Sequence, residues 1–490
     1  MKEIRFDFNN MFSPNIRILH GVGESELKAM SPVLEQARRH LLGLTKDRLS
    51  RICLGLEWIE LPFQSKQEIA RIEALAREIS QKFENVIFLG IGGSFLGLKA
   101  AQDALSPPYY NDFPGLRKGR PRIYFEGNNL DPDTLGVLLK NLDPKKTFVV
   151  VISKSGETTE TKAALSVVES WLKKNAGKFF GRQILAVTDP ENGTLRKRVN
   201  LENGKDKLSF RSLELKKGVG GRYSELNMGL LHLAITGIDI QELFKGAEDM
   251  IGRCKSAVLF ENPALMYAAL QTILYRKKGK SIAILMPFSE TLKSTADWYV
   301  QLLAESLGKK YARKIKKDSK AREAWEPDKK HIVNVGRTPI AARGTNDLHS
   351  IQQNNIEGEN NKTITFIKVE RFCQELELAN TGDLLAGKKF SELLSLAEEA
   401  TEWALVRNDR PNCAITLPAV NPYYWGGLIL FFELACAYEG ELLNVNAFNQ
   451  PGVEGYKNYM YYKLKKQGLP KEVAQEIKKR PLSKNPRFII

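Results

Sequence analysis

Twice in this chain an unbroken apolar run passes through a loop of small and hydroxylated residues and continues as helical sequence. The first is "NVIFLGIGGS", from Asn85, and the second is "TFVVVISKSGETTET", from Thr147. An apolar run without polar alternation belongs to a strand buried on both faces, as in a parallel sheet covered by helices. Parallel neighbours can pair only after a crossover, so such a chain has to alternate strand and helix.

That alternation continues along the sequence. Strands are predicted over 85–90, 122–127 ("RIYFEG"), 147–152 and 183–188 ("QILAVT"), with "AALSVVESWLKK" as helix between the last two. After the helical stretch "SELNMGLLHLAITG" a second region of the same kind begins. In it "SIAILMPF" (281–288) and "TITFIKVE" (363–370) read as strands, and "ETLKSTADWYVQLLAESLG" reads as a long helix ended by Gly308. Residues 30–83 carry Leu, Ile and Ala at helical spacing, and the sequence after about 390 reads as helix to the end. With 490 residues the chain exceeds one ordinary core. The fold class is therefore α/β: two domains, each a mostly parallel sheet flanked by helices, with a helical C-terminal tail.

Composition narrows the function. Apolar residues at 43% and charged residues at 27% are an ordinary globular balance. The cysteines at 53, 254, 373, 413 and 436 are scattered and read as reduced thiols. Histidines show no metal-ligand spacing. "MKEIRFDFNN" is too polar for a signal peptide, and no window holds the roughly 18 apolar residues of a membrane helix. A protein of the cytoplasm is expected, with no membrane partner. Net charge is +16, concentrated in part in "KKYARKIKKDSKAREAWEPDKK", Lys309 to Lys330. No base-reading motif or interleaved aromatic residues accompany that stretch, so no nucleic-acid partner is expected. It reads as a solvated basic face whose field attracts an anionic small substrate.

The two strand–loop–helix units carry the first chemistry. Ligands of parallel sheets sit beyond the carboxyl ends of the strands, where a helix start offers free N–H groups to phosphate. Ser153, Ser155, Thr158 and Thr159 add hydroxyl donors, Lys154 adds charge, and Gly156 permits a tight turn. A Ser/Thr-rich capping loop has the same composition, and the loop alone does not separate the two. Neither loop is a nucleotide fingerprint: "GIGGSFLG" has Phe95 where a third glycine is required, and no P-loop lysine pattern occurs. A small phosphorylated ligand fits better than ATP or NAD. In "GVGGRYS", paired glycines let backbone and the Arg222 guanidinium approach a ligand together, and Arg222 can stabilise an oxyanion. "DWYVQLLAESLGK" puts Gln301 and Glu305 on one helix face, with Glu305 in the last turn, where the helix dipole opposes its charge. That setting suits a general base. His349 in "GTNDLHSIQQ", and Gln450 and Lys457 in "FNQPGVEGYK", stand in polar loops and decide nothing singly.

In this order, "GIGGS", "SKSGETTET", "GGRYS", "QLLAESLGK", "GTNDLHS" and "FNQPGVEGYK" resemble the motifs of the bacterial-type glucose-6-phosphate isomerases, or phosphoglucose isomerases, over residues 90–457. The resemblance implies two sugar-isomerase-type (SIS) domains: a small one at 71–230 and a large one at 231–440. Residues 1–70 would pack on the large domain and 441–490 would form the tail. It implies interconversion of glucose 6-phosphate and fructose 6-phosphate, a step of glycolysis and gluconeogenesis, through a cis-enediolate with no metal or redox cofactor. Ser153, Lys154, Ser155 and Thr158 would bind the phosphate. Gly93, Ser94, Gly221 and Gln301 would line the sugar. Glu305 would be the base and Arg222 the enediolate stabiliser. His349 and Lys457 would assist ring opening, and Gln450 would bind the sugar or its phosphate. A homodimer would bring His349 in from the neighbouring subunit. Glu157 and Glu225 depart from the family pattern and add negative charge; Glu157 is expected to point away from the phosphate. Two other readings stay open: a non-catalytic sugar-phosphate sensor, and an isomerase that also accepts mannose 6-phosphate. A sensor has no need of Glu305, His349 and Lys457 together, and all three are present.

Overall fold

The computed structural model describes residues 3–206, 210–380 and 382–490. In chain order the strands are β1 (Arg5–Asp7), β2 (Asn85–Leu89), β3 (Arg122–Glu126), β4 (Thr147–Ile152), β5 (Ile184–Thr188), β6 (Arg211–Glu214), β7 (Ile282–Pro287), β8 (Lys309–Lys317), β9 (Glu323–Val335), β10 (Thr338–Ala341), β11 (Lys362–Arg371) and β12 (Asn412–Ala419). Four helices bear on the site and the core beneath it: α1 (Thr159–Ala176), α2 (Ile240–Arg253), α3 (Lys293–Leu307) and α4 (Pro422–Leu442). Residues 1–447 form one compact unit and residues 448–490 a second.

The first sheet has the order β3-β2-β4-β5-β6 and is parallel throughout. Its central strands are buried on both faces, which is why they read as unbroken apolar runs. In β4, Phe148, Val150 and Ile152 pack on one side with Ala76, Ile79 and Leu231. Val149 and Val151 pack on the other with Leu165, Val168 and Leu172. The second sheet has the order β1-β12-β11-β7-β10, parallel except where β1 adds itself antiparallel to β12. Among the described residues no helix is long and apolar enough to cross a membrane. The second unit holds a helix at Glu454–Lys463 and another at Lys471–Lys479.

All six expected strands are present to within one residue. The expectation of unbroken helix beyond about 390 is overturned by β12, which pairs with β11 inside the second sheet. "NCAITLPA" is a short apolar run, and periodicity alone does not separate a doubly buried strand from a buried helix turn. β1, β6 and β10 are too short to show a period. The basic stretch is a separate antiparallel ribbon of β8 and β9, with Lys310, Lys314, Lys316 and Lys317 exposed. Its root is different: Lys309 and Arg313 are buried.

α4 runs through the interior, with every residue from Tyr424 to Gly440 buried. It crosses α2 at glycines. A Cβ on Gly246 would stand 1.7 Å from the Tyr423 carbonyl oxygen, and one on Gly426 would stand 2.2 Å from that of Leu243. Backbone atoms cannot step aside, so Gly246→Ala forces the helices apart and is expected to destabilise by about 1–3 kcal/mol. Gly252 lies on the same helix with open space around it. Gly252→Ala is therefore expected to stabilise by up to about 1 kcal/mol. Urea unfolding of the two variants against wild type reads both signs.

Candidate active site

The two ligand loops leave the first sheet side by side, because β2 and β4 are parallel neighbours with Leu89 paired to Val151. After β4, Ser153 is buried and its Oγ accepts the Gly156 N–H at 3.0 Å, while Ser155 Oγ accepts the Glu157 N–H at 3.1 Å. Gly156 has φ +74°, and a Cβ there would meet Leu195 N at 2.5 Å, so the turn admits only glycine. Lys154 and Ser155 face solvent. Thr158 holds the N-cap position of α1 without a side-chain capping bond, which leaves the N–H groups of the first turn available to an anion. The Glu157 carboxylate lies 3.5 Å from Lys162 Nζ on α1.

After β2 the chain makes a tight turn at Gly92–Ser94. A Cβ on Gly93 would stand 2.0 Å from Gly221 O and 2.8 Å from Arg222 N. The glycine exists there so that two backbone turns can touch. Gly92 likewise stands close to Gln301 Nε2 on α3. Ser94 Oγ lies 3.6 Å from Met228 Sδ. These contacts bring Gly93, Ser94, Gly221, Arg222 and Gln301 into one place.

Arg222 is the centre of that place and is 1% exposed. Its Nε donates to Ser306 Oγ at 2.9 Å, its Nη1 to Glu305 Oε2 at 3.2 Å, and its Nη2 to the Ala447 carbonyl. Gln301 Nε2 donates to the other Glu305 oxygen at 3.1 Å, as the four-residue spacing on α3 predicts. Glu305 keeps a quarter of its side chain exposed. A carboxylate oriented from both sides and still open to a ligand is suited to taking and returning a proton, and the fixed cation beside it suits a developing oxyanion.

His349 ends an exposed turn at Asn346–His349 beyond β10. Gln450 and Lys457 belong to the second unit. There Gln450 precedes the turn Pro451–Val453, and Lys457 pairs with Glu454 at 3.1 Å.

A sequence profile of the phosphoglucose isomerase family matches residues 71–471. The chain is 38% identical to glucose-6-phosphate isomerase of Carboxydothermus hydrogenoformans over 99% of both chains. It is 35% identical to that of Acetivibrio thermocellus over 96% of this chain and 98% of the relative.

The chain belongs to the phosphoglucose isomerase family.

Among solved structures, a hypothetical protein of Thermus thermophilus superposes with a TM-score of 0.77 at 31% identity, covering 94% of this chain and all of the other. A glucose-6-phosphate isomerase of Chlamydia trachomatis shares the fold with a TM-score of 0.74 at 22% identity, over 96% of this chain and 92% of that one.

This member of the phosphoglucose isomerase family carries supporting residues that the motifs did not single out. The Tyr223 hydroxyl lies 3.0 Å from Ser306 Oγ, and its ring stacks on Trp58. Lys309 Nζ donates to the Glu305 carbonyl. A lysine just past a helix-ending glycine is a familiar C-terminal cap, and that spacing was a usable signal. Glu225, suspected of adding charge beside the ligand, is instead a core residue, 3% exposed. Its Oε1 accepts Trp298 Nε1–H at 2.6 Å, and its side chain fills the space left by Gly97. Glu433 on α4 faces it and is buried equally. Burial pushes the Glu225 carboxyl up to about 7. Burial, and then the charge of Glu225, pushes Glu433 well above the usual range.

A carboxyl whose folded value is raised favours folding below its ordinary value, near 4.3, and that contribution is lost as pH rises through about 7. Glu225→Gln keeps an acceptor for Trp298 and cannot ionise. Its melting temperature is expected to change less than that of wild type between about pH 5 and 8, and to exceed wild type at the upper end. Thermal melts at both pH values check this.

Proposed function

We propose that this chain interconverts D-glucose 6-phosphate and D-fructose 6-phosphate through a cis-enediolate. The observation that carries the reading is the pair of Glu305 and Arg222: a partly open carboxylate 3.2 Å from a buried cation that cannot lose its charge. Relatives that carry the name glucose-6-phosphate isomerase over nearly their whole length support it.

Glu305 takes the proton from C2 of the open-chain aldose, and the electron pair forms the enediolate. Arg222 donates to its oxygens. Glu305 returns the proton to C1, the hydroxyl proton passes from O2 to O1, and the ketose results. No external oxidant is required, because C1 is reduced as C2 is oxidised. Ser153, Lys154, Ser155 and Thr158 hold the phosphate, supported by the uncapped start of α1. Gly93, Ser94, Gly221 and Gln301 line the sugar. His349 and Lys457 assist ring opening, and Gln450 binds the sugar or its phosphate. The pairing of Glu157 with Lys162 supports a carboxylate directed away from the phosphate. The division into domains at 71–230 and 231–440 is supported by one five-stranded sheet for each range, with β1 joining the second from the N-terminal segment and the β8–β9 ribbon lying within the second range. Work in the cytoplasm, without a nucleic-acid partner, completes the reading.

Glu305→Gln should lower kcat by at least ~10²-fold and leave KM for fructose 6-phosphate nearly unchanged, in an assay coupled to glucose 6-phosphate oxidation. Near-normal turnover removes Glu305 from the role. Mannose 6-phosphate run in parallel reads the breadth of specificity.

The active form is a homodimer in which His349 reaches the neighbour's site; its place on an exposed turn supports this. Mixing E305Q and H349A proteins tests it. Subunit exchange creates one site with both residues intact, so activity is expected to rise to roughly a quarter of wild type. No recovery means that His349 acts within its own chain.

A further inference from the structure

Beside the Arg222–Glu305 pair lies a second buried cation with no part in the isomerisation steps. Lys309 is 7% exposed. α3 ends at Leu307, and Gly308 turns the chain out into the ribbon, where Lys309 pairs with Val335 as its first rung. In a continuing helix the Glu305 carbonyl would accept the N–H of residue 309. Here the Lys309 side chain folds back, and its ammonium donates to that same carbonyl. The carbonyl belongs to the residue whose carboxylate is held by Arg222 and Gln301. One cation thus grips the backbone of Glu305 and another grips its side chain.

Resting on the isomerase reading, we propose that Lys309 is a positioning residue for the base: its charged ammonium holds the last turn of α3 and offsets the negative end of that helix beside Glu305. The helix dipole opposes a carboxylate in its final turn, and a cation on the terminal carbonyls opposes the dipole. Among the charged groups acting on Lys309 are Arg222, on the turn after Gly221, and Glu305, on α3. Burial, and then Arg222, push the Lys309 amine down to about 7, against the pull of Glu305. The charge that steadies the base is therefore lost on the alkaline side of neutrality, and the rate falls with it.

The experiment measures kcat/KM for fructose 6-phosphate from about pH 5.5 to 9.5 for the full-length wild type, Lys309→Met and Lys309→Arg. Wild-type turnover by itself decides the isomerase reading; the variants decide only Lys309. Wild type is expected to show an alkaline limb that K309M lacks. K309M is expected to be slower by about tenfold or more at neutral pH, with the loss in kcat rather than KM. K309R keeps its charge and is expected to retain rate while its limb moves to higher pH. A K309M protein that keeps the wild-type rate, or is slow but keeps the limb, overturns the proposal. Where melting shows K309M unfolded, K309R decides: an unmoved limb overturns it.

Discussion

A guanidinium with 1% of its surface exposed costs several kcal/mol to desolvate, and it stays in place only where every donor is met. Arg222 draws its partners from two distant parts of the chain: Ser306 and Glu305 at the end of α3, and the Ala447 carbonyl beyond α4. The turn that carries it is itself locked against the loop after β2 by the contact of Gly93 with Gly221. One buried charge therefore ties the ligand edge of the first sheet to the helix that follows β7. The direction of the Glu305 carboxylate is a consequence of that tie.

The same low-dielectric interior sorts the other ionisable groups by whether they found a counter-charge. Arg337 and Glu439 are both nearly inaccessible and bond to each other at 2.7 Å; burial raises the Glu439 carboxyl, and the Arg337 charge pulls it back down. Glu225 and Glu433 found no cation, and burial drives them toward the neutral form. His232 is buried between Phe88 and Phe125, and burial pushes it down to about 3, a neutral core imidazole. Lys309 differs from these: burial, and then Arg222, push its amine down to about 7, against the pull of Glu305.

Glycine placement determines how closely these parts meet. Gly93 admits the Arg222 turn, Gly97 admits the Glu225 side chain, and Gly246 with Gly426 lets α2 and α4 cross at backbone distance. None of these positions needs glycine for its own dihedral angles; each needs it for what stands opposite. Such glycines look like any other in sequence, because the clash they avoid is with residues far along the chain.

The sequence by itself determined the parallel sheets, since a doubly buried strand must be written as an unbroken apolar run, as in "TFVVVI" and "NVIFL". It also determined the loops beyond those strands and the four-residue spacing of Gln301 and Glu305, because both are local in the chain. β12 escaped, since a short buried strand and a buried helical turn share one composition. The ribbon escaped, since its pairing rests on backbone hydrogen bonds under a charged surface that carries no period. Only the tertiary structure decided that Glu225 lies in the core, that Lys309 is buried while Lys310 is exposed, and that Arg222 holds Glu305. The physical reason is common to all three. A residue's type states what it can do, but its charge and its partners depend on how much water the fold leaves around it, and that is set by segments distant in sequence.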